Sequence, residues 1–320
     1  MMRNATVLIT GGAGFIGANL VRKLLSVGGF EVSVIEKEGT NLWRLSDILY
    51  RITFRYADLK DDKSVRQIIQ EIQPSIVFHL ASYGVDGSVQ KDELEMRLVN
   101  REGTSKLVLA LKEQHVPEIF VFTSTSFVYG PKDGKLTEKD KVVPLNEYAA
   151  TKYKAEKELQ RIAKESGISV INARLFTAYG YYENNKPLIP YIILNALQDK
   201  PIELSSPDNV RDFIFIEDVL DLFMKMIETK QNYQGEVFNV GSGKQHRIAD
   251  IVDAIEKAMN KKLPVSYGRR SSPYQEPKVF VADNTKAKET FGWEPKYDLE
   301  SGIEKNVAWF ERHKKLYREI

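Results

Sequence analysis

A chain of 320 residues, 42% hydrophobic and 28% charged, has the material for two modest domains, or for one large domain with an appended lobe. Its 46 lysines and arginines nearly cancel 44 aspartates and glutamates, and a net charge of +2 gives no reason to expect nucleic acid or an anionic membrane as a partner. The absence of cysteine excludes disulfides, thiolate nucleophiles, zinc–thiolate sites and iron–sulfur clusters, while His79, His115, His246 and His313 show no metal-ligand spacing.

The first residues run directly into an apolar segment with no signal-peptide core or cleavage site, and no apolar stretch approaches the ~20 residues that span a bilayer, so a cytoplasmic location is expected. Short apolar runs at Val7–Thr10, Val32–Ile35, Thr53–Tyr56, Ile76–Leu80, Ile119–Thr123 and Ser169–Leu175 read as buried strands. Helical patterns lie between them at Ile16–Ser26, Lys63–Gln73, Leu94–Gln114 and Tyr148–Ser166. This alternation predicts an α/β fold with a Rossmann-like, doubly wound parallel sheet.

After Leu175 the rhythm breaks. Tyr179–Pro190 reads as loop, Tyr191–Gln198 as helix and Ile202–Leu204 as a short strand. Asp212–Ile227 reads as strand into helix, Val237–Val240 as one more buried strand, Ile248–Met259 and Ser301–His313 as helices, and Gly268–Pro277 as loop. The expected division is a dinucleotide-binding domain over 1–176 plus about 212–241, and a smaller α/β substrate lobe from 177–211 and 242–320.

Gly11, Gly14 and Gly17 follow the first strand and open the first helix. Without Cβ atoms they let the backbone turn tightly and approach a pyrophosphate, and the helix start, at Phe15 and Ile16, supplies N–H donors and partial positive charge. Glu36 lies 19 residues past Gly17, the interval expected for a carboxylate on the adenosine ribose diol, which favours NAD. Its neighbours Lys37 and Arg44 leave NADP open. Asp58-Leu59, after the third strand, reads either as a contact to the adenine edge or as a helix N-cap region.

Tyr148 and Lys152 stand at i and i+4 on one helix face. A tyrosine has a pKa near ~10, and a lysine ammonium at roughly 4 Å and an effective dielectric near 20 is worth up to about 4 kcal/mol, or about three pK units. Such a pair can make a phenolate available near neutrality, although the same spacing also occurs on solvated helix faces. Phe122-Thr123-Ser124-Thr125-Ser126-Phe127-Val128-Tyr129-Gly130 begins on a strand ending at the carboxyl edge of the sheet, where α/β folds bind ligands.

Taken together, the glycine turn, the Phe122–Gly130 segment and the Tyr148/Lys152 pair resemble the extended short-chain dehydrogenase/reductase superfamily, and within it the NAD-dependent epimerase/dehydratase group, in the manner of UDP-glucose 4-epimerases. His79-Leu80-Ala81, Asn100 to Thr104, Arg174 to Gly180, Arg211 to Val219, Phe238 to Gly241 and Ala282 to Pro295 agree with it. The resemblance implies that Tyr148 is the general base and acid, that Lys152 lowers its pKa and binds the nicotinamide ribose, and that Thr125 hydrogen-bonds the reacting oxygen. It places Leu80, Ala81, Ser82, Asn100 and Thr123 beside the cofactor, Ser124 and Thr177 beside the substrate, and Arg211 and Arg270 on the diphosphate of a nucleotide sugar. The usual asparagine of the sixth-strand exit is Thr177 here.

The resemblance also separates reactions. In the group's 4,6-dehydratases an Asp-Glu pair follows the Thr125 position, and in its decarboxylases a glutamate sits near the Phe127 position. This chain has Ser126-Phe127 and lacks the carboxylates those chemistries need. Epimerisation through a 4-keto intermediate, with NAD, is therefore the expected reaction. An NAD(P)H-dependent 4-keto-6-deoxysugar 4-reductase is the alternative, and a non-catalytic dinucleotide sensor is a third. By the same analogy, Leu94–Leu111 and Ala155–Ile162 are expected to pair with a twin in a homodimer, unless both helices simply cover the sheet.

Overall fold

The computed structural model describes residues 5–84, 92–229, 231–270 and 278–317. The first part of the chain alternates as its apolar rhythm predicts: β1 (Ala5–Thr10), α1 (Phe15–Val27), β2 (Phe30–Glu36), β3 (Thr53–Tyr56), α2 (Asp62–Ile72), β4 (Ile76–His79), α3 (Glu93–Arg97), α4 (Thr104–Gln114), β5 (Ile119–Thr125), α5 (Glu147–Ser166) and β6 (Val170–Leu175). β1, β4, β5 and β6 and most of β2 are buried because both faces are covered, whereas β3, read as a buried strand, lies at the sheet edge and is largely exposed. Caps fix the helix ends. Asp61 accepts from Lys63 N and Ser64 N to start α2, Asn146 accepts from Ala149 N to start α5, and Gly167 ends α5 in the left-handed conformation at φ 76°.

The single helix expected over Leu94–Gln114 is instead α3 and α4 joined by a π-helical turn, Leu98–Gly103. A wider turn of this kind is used where a side chain must be re-aimed. Here it carries Asn100, which is fully buried.

The later elements are β7 (Thr177–Tyr179), α6 (Leu188–Ala196), β8 (Ile202–Glu203), β9 (Val210–Arg211), β10 (Phe213–Phe215), α7 (Ile216–Glu228), β11 (Glu236–Val240), β12 (His246–Arg247), α8 (Ile248–Met259), β13 (Val265–Ser266), α9 (Thr285–Phe291) and α10 (Leu299–His313). The main sheet has the order β11-β6-β5-β4-β1-β2-β3, with β1 to β6 mutually parallel. The order reverses between β1 and β4, and their carboxyl ends are the switch point where such sheets bind ligands. On one face, Leu8, Val77, Phe120 and Phe122 pack with Val65, Ile69, Leu107, Leu111, Ala155, Leu159 and Ile162 from α2, α4 and α5. Several of the apolar positions expected at a dimer interface pack on this chain's own sheet, while Leu94, in the same range, is 51% exposed. Leu107, Leu111, Ala155, Leu159 and Ile162 have no exposed surface to offer a twin.

By its contacts the chain forms two units: 1–130, 141–175 and 222–238, and 131–140, 176–221 and 239–320. Residues 131–140, 212–221 and 239–241 thus group with the second unit rather than the first. Hydrogen bonds explain this. Leu136 N donates to Val281 O and Asp283 N to Leu136 O, each at 2.8 Å. The buried Asp212 carboxylate accepts from Ser242 N at 2.6 Å, Ser242 Oγ at 2.7 Å, and Gly243 N and Ala282 N at 3.0 Å. The stretch read as loop from Tyr179 begins inside β7, which pairs in parallel with β10. Tyr179 and Tyr181 then pack on Phe215, and Tyr181 on Trp309, within the same unit.

Four donors converge on Asp212, and burial raises its pKa. Truncation would leave those donors unpaired at ~1–3 kcal/mol each in a rigid site. Asp212→Ala is expected to lose about 3 kcal/mol or more in chemical denaturation, and Asp212→Asn less. An Asp212→Ala protein as stable as wild type would contradict this account.

Candidate active site

The glycine turn sits at the switch point. Gly11 has φ 75°, and a Cβ there would stand 2.6 Å from Ala81 N in the β4 exit; one on Gly17 would stand 2.2 Å from Gly11 O. These two positions let β1, the start of α1 and the β4 exit come together. Gly12, which the spacing argument passed over, is equally constrained, because its Cβ would meet the Val34 side chain at 2.6 Å. Gly14 differs. It is exposed, and its Cβ would meet only Gly11 O, at 3.2 Å. Its outer face is open, the first turn of α1 carries no acid, and so the N-terminal N–H groups of Phe15 and Ile16 are left for an anion. These residues fit a dinucleotide pyrophosphate.

Glu36 ends β2 beside this turn. Its Oε1 accepts from Ala13 N at 2.5 Å, and Arg44 Nη1 donates to Ala13 O at 3.3 Å. Burial pushes the Glu36 carboxyl up to about 7, against the pull of the Ala13 N–H and the Arg44 charge. Lys37 lies 3.6 Å from Glu95 Oε1 and 4.0 Å from Asp58 Oδ2, so its charge is already shared by two carboxylates. Asp58 does not cap α2; that is Asp61. Asp58 instead accepts from Lys60 N at 2.9 Å in the turn before it. Leu59 is buried against Gly103, whose Cβ would stand 2.9 Å from that of Leu59.

A buried polar chain runs along the β4 exit. His79 has no exposed surface. Its Nδ1 is 2.6 Å from Thr10 Oγ1 and its Nε2 2.8 Å from Thr104 Oγ1. The Thr104 hydroxyl donates to Asn100 O at 2.7 Å, so it receives from Nε2–H, and Nδ1 receives from Thr10. Burial, assisted by the Lys152 charge, drops His79 to about 3 and keeps it neutral. The Thr123 hydroxyl donates to His79 O at 3.2 Å. Leu80 N donates to Thr10 O at 3.0 Å and Ala81 N to Thr10 Oγ1 at 3.3 Å. The Asn100 side chain accepts from Tyr83 N at 2.7 Å and donates to Tyr83 O at 2.9 Å and Thr151 Oγ1 at 3.1 Å. Its amide is thus engaged within the protein, holding the β4 exit to α5.

Thr125 ends β5. Its Oγ1 accepts from Phe127 N at 3.2 Å, which leaves the hydroxyl hydrogen to donate outward. The neighbouring Ser124 hydroxyl is buried and has no hydrogen-bond partner among the described residues, a polar atom that a bound group would satisfy. On α5, Tyr148 hydrogen-bonds Ser82, and Lys152 is buried with its Nζ 4.1 Å from the centre of the Phe122 ring. Burial pushes the Tyr148 phenol up to about 12, offset only by Ser82, and pushes Lys152 down to about 7, offset by Glu156. The expected lowering of Tyr148 by Lys152 is therefore not reached by the protein alone. The Lys152 Nζ sits over an aromatic face, and its burial disfavours the ammonium that would draw the phenol down.

In the second unit, Thr177 N donates to Asp212 O at 3.0 Å. Arg211 donates from Nη1 to Val210 O at 2.6 Å, with its guanidinium 5.9 Å from the centre of the Phe280 ring. Arg270 is exposed and lies 4.0 Å over the Tyr191 ring. The loop after it, 271–277, lies outside the described residues. Among the described residues no group of His, Asp and Glu side chains is placed to hold a metal, and no helix is long and apolar enough to cross a membrane.

Glu36 predicts a pH dependence. Its folded pKa, about 7, is above the 4.5 of a free carboxyl. Its stabilising contribution is complete below 4.5 and is lost as pH rises through 7, by up to about 3 kcal/mol. Thermal melts should show wild type losing stability across that window relative to Glu36→Gln, which keeps an acceptor for Ala13 N; parallel curves would refute the assignment.

Comparison with known proteins agrees with this geometry. The family model described as NAD dependent epimerase/dehydratase family matches residues 7–241. A dTDP-glucose 4,6-dehydratase of Salmonella typhimurium is 31% identical, over 95% of this chain and 92% of the relative, and a UDP-glucose 4-epimerase of Halalkalibacterium halodurans is 28% identical over 96% of each. The solved structure of UDP-glucuronic acid 4-epimerase from Bacillus cereus, in complex with UDP-glucuronic acid and NAD, is 29% identical with a TM-score of 0.86, covering 96% of this chain and 99% of that one. The chain belongs to the NAD-dependent epimerase/dehydratase family.

Proposed function

We propose that the protein is a nucleotide-sugar 4-epimerase of the UDP-glucose/UDP-galactose kind, acting through a 4-keto intermediate with bound NAD. The observation that carries this reading is the turn immediately after Thr125. Ser126, Phe127 and Val128 form a short 3-10 turn in which Ser126 and Val128 are buried. No carboxylate stands there to supply the acid and base for water elimination, so the dehydratases among the relatives are the poorer guide to the reaction.

Bound NAD would supply a reversible hydride acceptor at the sugar carbon. Gly14, Phe15, Ile16 and Glu36 are the residues proposed to hold it, with Ser124 beside the reacting end. Tyr148 takes the proton of the 4-hydroxyl and later returns it. Thr125, whose oxygen accepts from Phe127 N, donates its O–H to the same sugar oxygen and fixes its position. Lys152 adds positive charge beside the phenol. Arg211 and Arg270 are proposed as the cations for the diphosphate. A second reading, a 4-reductase using NADPH, draws on Arg44: a guanidinium beside a carboxyl that is half neutral near pH 7 tolerates a 2′-phosphate better than a bare carboxylate.

Incubation with UDP-glucose, UDP-galactose and UDP-glucuronic acid should convert one of them to its 4-epimer with no net NADH. Tyr148→Phe should lose a factor on the order of 10²–10⁴ in kcat. Product only from a 4-keto-6-deoxy sugar with added NADPH would transfer the assignment to the reductase, and full turnover by Tyr148→Phe would sink both.

A further inference from the structure

Three groups stand one turn apart on a single face of α5: Tyr148, Lys152 and Glu156. The first two belong to the proposed chemistry, and the third has no part in it so far. Glu156 has no exposed surface, and its partner Arg174 on β6 is equally buried. The guanidinium meets the carboxylate as a fork, Nε to Oε1 at 3.0 Å and Nη2 to Oε2 at 2.7 Å. Arg174 also lies over Tyr129, with Cζ 4.8 Å from the ring centre, at the end of the segment that starts with Thr125. A buried ion pair is a poor device for stability alone, because desolvating both charges consumes most of their attraction.

The charged and titratable groups around Lys152 can be named. Its own helix contributes Tyr148 and Glu156. β4 contributes His79, held neutral, and β5 contributes the uncharged Phe122 ring. β6 contributes Arg174, bound to Glu156. Glu156 is therefore the one anion acting on the buried ammonium among the described groups.

We propose that the Glu156–Arg174 pair is a positioning device for the catalytic pair: Glu156 biases the proton that Tyr148 and Lys152 share toward Lys152, and Arg174 fixes the Glu156 carboxylate through its two-bond fork and ties α5 to the Thr125–Tyr129 segment. This rests on the reading of Tyr148 and Lys152 given above. Once the pair has lost one proton it has two forms, phenol with neutral amine and phenolate with ammonium, which differ only in which group holds the remaining proton. Only the second is a base for an alcohol. A carboxylate one turn beyond Lys152 favours the ammonium, and hence the phenolate.

The test is the titration of Lys152 itself, followed by NMR in protein carrying 13C-labelled lysine, with its signal assigned by loss in Lys152→Arg. Glu156→Gln should lower that titration by about one pH unit or more, because Arg174 is then a second buried cation. Since this variant is also the one at risk of misfolding, Glu156→Leu/Arg174→Met removes both charges into apolar side chains and should lower the titration by less. Arg174→Lys should keep the wild-type value. In turnover, both charge-removing variants should lose about tenfold in kcat with KM unchanged, and the acid limb of kcat should move to lower pH. If the Lys152 titration and the acid limb stay in place in both variants, the pair is structural only and the proposal is overturned. The NMR titration needs no substrate, so an enzyme inactive on every sugar would refute the proposed function while leaving this inference to its own measurement.

Discussion

A lysine ammonium buried under a helix is the constraint around which the first unit is arranged. Lys152 is 1% exposed, and nothing in its position makes that cheap. The fold answers with a π face from Phe122, a carboxylate one turn away, and a histidine that burial keeps neutral, with both its ring nitrogens hydrogen-bonded to threonine hydroxyls. A protonated His79 would place a second cation in the same low-dielectric space. The opposed requirements explain why the β4 exit is so heavily hydrogen-bonded: the imidazole must be satisfied at both nitrogens so that it has no use for a proton.

That satisfaction has a geometric by-product. The hydroxyls that hold His79 belong to Thr10, which leads into the glycine turn, and Thr104, which comes after the π-helical turn. Asn100 on that turn then grips the Tyr83 backbone and Thr151. The chain of bonds from β1 to α5 thus fixes Ala81 against Gly11 and Ser82 against Tyr148 with one set of contacts. Cofactor turn and phenol are positioned by the same network, and an error in either would be felt at the other.

How much of this was legible in the sequence depends on distance along the chain. Gly11, Gly14 and Gly17, and Tyr148 with Lys152, declare themselves because their partners lie within one turn or helix, where spacing is geometry. Asn100 was legible as part of a motif but not as to its work, since its partners are 17 and 51 residues away. The Glu156–Arg174 pair left no local signal: one is an ordinary acid on a helix, the other an ordinary strand-end cation, and only the packing of α5 on β6 joins them. β7 was hidden for a different reason. Three residues are too few for a period to show, and their strand character comes from pairing with β10. The apolar positions on α4 and α5 were ambiguous in principle, because periodicity says that a face is buried and not what buries it.

Local hydrogen bonding also narrows the chemistry more than the side-chain inventory does. A threonine hydroxyl is donor and acceptor, and on sequence alone Thr125 could serve a substrate oxygen in either sense. With Phe127 N already donating to one lone pair of Oγ1, its O–H is free to donate to a substrate oxygen. A fixed donor next to a group that removes a proton suits an oxygen that gains electron density as its O–H bond breaks, which is the course of an alcohol becoming a ketone. It does nothing for elimination across the neighbouring carbons, where a base and an acid must reach C5 and the C6 oxygen. Phe127 takes part through its backbone, because its N–H occupies one acceptor position of Thr125 Oγ1.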